Sequence, residues 1–178
     1  MAGKQSAGLL VYRQKKGRVE VLLVHPGGPF WAKKDDYAWS LPKGEYLDNE
    51  GVFAAAKREF QEELGIAAPN GDYLELGEVK QAGGKRVTAW AIEKDLGKIT
   101  PASNTFRLEW PPRSGQQKDF PEVDRAAWYS LSVATRKLHP GQSPLLHTLA
   151  NHLNIEITEE SEPKPLDQKL DDKQISLL

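Results

Sequence analysis

Cysteine is missing from this chain of 178 residues, which removes disulfides and thiolate metal sites from consideration. Its absence suits a reducing compartment. Neither sign of charge prevails: 24 Lys and Arg stand against 25 Asp and Glu, so no polyanion-binding surface covers the whole molecule. Any anion site must therefore be local. No stretch approaches the roughly 18 consecutive apolar residues of a membrane span, and Met1 to Ser6 carries no apolar run of the kind a secretory signal needs. These absences predict a soluble, cytoplasmic protein without membrane association or bulk nucleic-acid binding. They leave oligomeric state open.

The length allows one domain with a sizeable core and is short for two. Apolar, β-branched runs predict strands over 7–12 and 19–25, and Pro26-Gly27-Gly28-Pro29 breaks the chain after the second. Tyr37 to Leu41 reads as a further short strand. From Gly51 to Leu64 the period becomes helical, with Phe53, Ala56, Phe60 and Leu64 on one stripe. Asp48 or Asn49 is the expected N-cap, and Gly65 sits where a helix end favours a left-handed residue. Strands over 73–81 and 86–93 flank the turn residues Gly83-Gly84. More strands follow at 105–110 and 126–131. Ser143-Pro144 opens a last helix bearing Leu145, Leu146, Leu149 and Leu153. Strands interrupted by one strong helix imply a mixed sheet with helices on its faces. Residues 1–157 form the expected domain, and 158–178, acidic and Pro-interrupted, the expected charged tail.

Chemistry concentrates between Gly44 and Ile66. Glu59, Glu62 and Glu63 stand at i, i+3 and i+4 of the helix, which crowds three carboxylates on one side. Like charges so spaced repel by a few tenths of a kcal/mol, and a hard divalent cation converts that repulsion into coordination. Arg58 can pair with Glu62 one turn on, or restrain Glu59. A solvated charged face is the ordinary alternative for such a helix.

The full spacing is more specific. Gly44, five residues, Glu50, seven residues, Arg58-Glu59-Phe60, one residue, Glu62-Glu63, one residue and Gly65-Ile66 resembles the Nudix signature at every defined position. Phe60 replaces the usual aliphatic residue. A chance match is on the order of one in a few million.

The resemblance implies an α/β/α sandwich with a mixed β-sheet, the signature forming its loop–helix–loop. It implies Mg²⁺, with Mn²⁺ possible, on Glu59, Glu62, Glu63 and the Gly44 carbonyl. Arg58 would hold Glu59, and Glu50 would orient waters or ligands. A nucleotide-type small molecule would be hydrolysed at a diphosphate linkage. Lys43, in Leu41-Pro42-Lys43-Gly44, is the best local cation for phosphate, with an exposed loop lysine as the plain alternative; Arg86 could add a second positive charge. Glu122 is the first candidate for a loop general base, followed by Asp124 and Asp119.

The Pro-Lys-Gly lead-in looks like the dinucleoside polyphosphate, diphosphoinositol and oxidised-nucleotide branches. The tyrosine that the family's dinucleoside polyphosphate hydrolases often carry past the signature is absent, Gly83 standing near its place, and the proline favoured in the ADP-ribose branch is replaced by Gln81. A dinucleoside polyphosphate or a nucleoside triphosphate is the expected substrate. Diphosphoinositol hydrolysis and a non-catalytic nucleotide-binding module are the rivals. Trp39, Trp90 and Trp128 fall in strand patterns and are expected in the core, while Trp31 and Trp110 border loops and could stack on a base. The four histidines are expected to be structural or exposed.

Overall fold

The computed structural model describes residues 3–159, so the expected tail beyond Glu159 lies outside the described residues. Eleven-residue β1 (Gln5–Lys15) and β2 (Arg18–Pro26) form an antiparallel pair. They are followed by β3 (Lys43–Glu45), α1 (Val52–Leu64), β4 (Leu74–Lys80) and β5 (Arg86–Glu93). Then come β6 (Thr105–Glu109), β7 (Gln117–Pro121), β8 (Val123–Ser130), α2 (Leu131–Lys137) and α3 (Ser143–His152).

The main sheet runs β4-β5-β1-β2-β8, with β3 paired to β1 off that path. β1 and β5 are parallel and the remaining pairs antiparallel, which makes the sheet mixed. Because side chains alternate across a strand, β1 serves two cores. Ala7, Leu9 and Val11 pack with Ala55, Ala56, Phe60 and Leu64 of α1. Leu10 and Tyr12 pack on the other face with Ala134 of α2 and Leu145, Leu146 and Leu149 of α3. Helix, sheet, helices: this is the three-layer α/β architecture.

The helical stripe on α1 is buried as its spacing requires, with Phe53 half-buried at its start. Gly65 ends the helix at φ 73, its N–H donating to the Gln61 carbonyl, a backbone shape that favours glycine. The start differs from expectation. Gly51, extended and without a side-chain cap, is the N-cap, while Asp48 and Asn49 belong to the preceding turn.

The strand expected over 37–41 is also corrected. Only isolated bridges form there, Trp39 with Leu138 and Ser40 with Val24. Pro42 lacks the N–H that would continue such a ladder, and the strand proper starts one residue later, at Lys43. The stretch 119–124, expected as an acidic loop, is the end of β7, a single intervening residue and the start of β8. β7 pairs only with β6, as a hairpin apart from the main sheet.

Candidate functional site

Gly44 lies in β3, which places it beside α1. A Cβ built on Gly44 would fall on the Glu59 carboxylate, so any larger residue would displace that side chain. This is the physical need for glycine at the first signature position. The backbone N–H of Lys43 donates to Glu63 Oε2 at 3.2 Å. Glu59 and Glu63, one helical turn apart, are thus both drawn against β3.

Arg58 organises the rest. Its Nε donates to Glu50 Oε1 at 2.7 Å and its Nη2 to Glu50 Oε2 at 3.0 Å, a two-point clamp. Nη1 donates to Glu59 Oε1 at 2.7 Å and to Glu62 Oε2 at 3.1 Å. Nη2 also reaches the Glu45 carbonyl at 3.3 Å. Both pairings considered for Arg58 therefore occur together. Glu50, expected to face waters or ligands, spends both oxygens on Arg58, which lowers its pKa.

Electrostatics divide the carboxylates. Burial raises the Glu63 pKa, with Lys43 opposing and Glu59 and Glu122 adding like-charge repulsion. Burial raises Glu59 as well, against Arg58 and with Glu62 and Glu122. Glu122, on the exposed step between β7 and β8, is therefore near both. Its backbone is pinned on two sides: Glu122 N–H donates to Asn104 O at 2.9 Å, and Gly27 N–H donates to Glu122 O at 3.0 Å. The trailing candidates go elsewhere. Asp119 pairs with Arg107, and Asp124 faces the buried His25 ring at 2.8 Å.

Among the described residues, no three His, Asp or Glu side chains are already gathered closely enough to cage a metal. The oxygens are instead held by Arg58 and by the Lys43 N–H. The donor set still fits a hard divalent cation. It offers carboxylate oxygens of like charge, two of them on desolvated groups, beside the close approach of Gly44.

Lys43 is not the exposed loop lysine of the plain alternative. It is half-buried, and burial lowers its pKa, followed by the nearby Lys85, while Glu63, Glu59 and Glu45 oppose. Arg86 is not brought to this cluster. Its side chain pairs with Glu78 at 3.4 Å, and the neighbouring Lys85 is the residue beside Lys43. Strand alternation decides this, since adjacent residues face opposite sides of the sheet. His139, half-buried and hydrogen-bonded to Gln81 and Gly141, also lies near these two lysines. Lys43 and Lys85 both act on its ring.

Aromatic rings lie near Glu122. Phe30 is 59% exposed and Trp31 37%, and Phe30 stacks edge-on against Trp110 with centroids 5.6 Å apart. Phe106 and Phe120 pair across the β6–β7 hairpin, and Phe106 closes on Gly28. Trp39 is buried as expected. Trp90 and Trp128 are partly buried against the α1-side core.

Against known proteins, the family model of the NUDIX domain matches residues 3–149. Among solved structures, a binary complex of an Ap4A hydrolase from C. elegans is similar with TM-score 0.58 and 22% identity, over 85% of this chain and 98% of that one. The NUDIX domain of Shewanella oneidensis NrtR, complexed with ADP ribose, gives TM-score 0.59 and 16% identity, over 86% and 90%. The E. coli ORF135 protein gives TM-score 0.54 and 20% identity, over 93% and 96%. These likenesses bear on the fold. No curated protein sequence matches. Among the described residues, no helix is long and apolar enough to cross a membrane.

Proposed function

The chain belongs to the NUDIX family of hydrolases, and from that premise we propose that it cleaves a diphosphate linkage in a nucleoside polyphosphate, either a dinucleoside polyphosphate or a nucleoside triphosphate. The observation that carries this reading is the packing of Glu59 and Glu63 against Gly44 and Lys43, with Arg58 fixing the carboxylates around them. We place the domain over residues 1–157.

Glu59, Glu62, Glu63 and the Gly44 carbonyl would hold Mg²⁺ or Mn²⁺, which when bound neutralises diphosphate charge and acidifies water. Arg58 keeps Glu59 and Glu62 oriented through two charge-assisted hydrogen bonds from one nitrogen. Lys43 stabilises charge that accumulates on the leaving phosphate. Glu122, exposed and close to Glu59 and Glu63, takes the proton of the attacking water. The exposed rings of Phe30 and Trp31, on the loop whose Gly27 binds the Glu122 carbonyl, supply an aromatic surface for a base. That surface favours a nucleotide over a diphosphoinositol. The solved complexes with the same fold, of an Ap4A hydrolase and of a NUDIX domain with ADP ribose, support a nucleotide-type ligand here.

The test is phosphate or pyrophosphate release with Mg²⁺ from a panel of dinucleoside polyphosphates, nucleoside triphosphates, ADP-ribose and diphosphoinositols. A nucleoside polyphosphate should turn over fastest. Release by the Glu63→Gln variant at the parent rate would overturn the assignment, and a binding signal without turnover would favour a regulatory module.

A further inference from the structure

His25, one residue before the end of β2, is fully buried, and the proposed reaction makes no use of it. Its two ring nitrogens meet different parts of the chain. Nδ1 lies 2.8 Å from Asp124 Oδ1, near the start of β8, and Nε2 lies 2.7 Å from the Lys34 backbone carbonyl. An ionised carboxylate and a carbonyl only accept hydrogen bonds. A neutral ring has a single N–H, so it sets one nitrogen lone pair against an oxygen. A ring with a proton on each nitrogen satisfies both contacts, and Asp124 balances its charge.

The surrounding groups hold this arrangement. The ring meets Trp39 edge-on with centroids 5.2 Å apart, and Trp39 Nε1 donates to Asp35 Oδ1 at 2.8 Å. Tyr129 of β8 also meets Trp39 edge-on, at 5.1 Å. Arg125, over the Trp39 ring at 5.3 Å, sets its Nε 3.5 Å from Asp124 Oδ1. From α2, Lys137 pairs with Asp35 and Asp36, and Arg136 with Asp36. The Lys34 ammonium lies over the Trp31 ring, 4.8 Å from its centroid. Asp124 is thus the carboxylate in contact with the histidine.

The ring joins the aromatic segment to the chain just beyond Glu122. Residues 30–37 are exposed throughout and lie outside any helix or strand. Within the segment, the Trp31 N–H donates to Gly28 O at 3.3 Å and the Lys34 N–H to Trp31 O at 2.9 Å, so a shift of Lys34 is passed to Trp31. At one end the Gly27 N–H donates to the Glu122 carbonyl, and at the other Lys34 O meets His25. Asp124 stands two residues after Glu122. Both ends of the segment are therefore tied to the same short stretch that carries the candidate base.

We propose that His25 is a positioning residue whose ring, with a proton on each nitrogen, bridges Asp124 to the Lys34 carbonyl and so fixes the Phe30 and Trp31 surface beside Glu122 for a nucleobase. The proposal rests on the nucleotide reading given above and adds the group that sets its base surface. When the ring loses its second proton, one of the two contacts turns repulsive and the segment is held at the Glu122 end alone. Base binding therefore weakens as pH rises through the ring's titration, while the acid cluster is left as it was.

Two measurements test this, and the first needs no turnover. In nitrogen NMR spectra of the folded parent at about pH 6, both His25 ring nitrogens should carry protons, and the Trp31 indole signal should move in step as the ring loses one at higher pH. In Asp124→Asn the side-chain amide can donate to Nδ1 of a neutral ring while the Nε2–H keeps Lys34, so the Trp31 signal should stay in place over the same range. A parent ring with one protonated nitrogen, or a Trp31 signal indifferent to the ring's proton, would overturn the proposal. The second measurement is KM against kcat for a nucleoside triphosphate. His25→Gln should raise KM about tenfold, the scale of one lost hydrogen bond, and keep kcat within about twofold, because Glu122 retains its own backbone ties to Asn104 and Gly27. Asp124→Asn should keep the parent's KM. A fall in kcat at unchanged KM, or equal losses in both variants, would overturn the positioning role. His25 is buried, so if His25→Gln fails to fold, the parent spectra and Asp124→Asn decide. If the spectra behave as described and no substrate turns over, the hydrolase reading fails and the bridge stands.

Discussion

Two amphipathic helices pack on opposite faces of one sheet and do different work with their polar sides. α3 buries Leu145, Leu146 and Leu149 and leaves His147, Thr148 and Asn151 to solvent. α1 buries Ala55, Ala56, Phe60 and Leu64 by the same logic, but its polar side carries Arg58, Glu59, Glu62 and Glu63 toward β3 and the loop before the helix. The apolar stripes explain why both helices dock. Only the neighbour on the polar side, a strand that presents a glycine and a backbone N–H, separates a candidate catalytic helix from a structural one.

That contrast can be broken most severely at Glu63. Glu63→Gln should lower kcat at least about 100-fold with Mg²⁺, the scale of one lost charge-stabilising ligand, while leaving thermal unfolding in place. Steady-state phosphate release and a melting curve on the same sample check both halves. Arg58→Lys is expected to cost somewhat less, about 10- to 100-fold, because an ammonium cannot clamp Glu50 at two points while also holding Glu59 and Glu62. Restored activity in the lysine variant would mean that charge alone suffices.

On the other helix the outcome should invert. Leu149→Ala removes a fully buried side chain and should cost about 2–5 kcal/mol of stability by denaturant unfolding. At a temperature where it stays folded, its KM and kcat should match the parent.

The smallest effect is a pH dependence at His139. Its folded pKa lies below the ordinary 6.5, through burial and then Lys43 and Lys85. The unfolded chain then takes up the proton first on acidification, so stability is present above about pH 6.5 and declines below it. Melting temperatures between pH 5 and 7 should fall less steeply on acidification in His139→Ala than in the parent.

What the sequence made legible follows from the range of the interactions. α1, its Gly65 terminus and the bounds of β5 rest on local periodicity and capping, and all three match the structure. The signature residues were legible because several spacings coincide within 23 residues. α2 was missed although Ser130 caps it by accepting from the Val133 N–H, since seven residues give too few turns for a period. β7, Gln-Lys-Asp-Phe-Pro, has no apolar alternation because it pairs with β6 and not with the core sheet. Lys85 and His139 depend on strand parity and on tertiary contact, so Arg86 looked equally good beforehand.

The account stands most directly on divalent-cation binding by the folded protein. Titration with Mn²⁺, reading the free ion by electron paramagnetic resonance, should give saturable binding in the parent and at least about tenfold weaker binding in Glu59→Gln and Glu63→Gln. Equal affinity in all three proteins would contradict it.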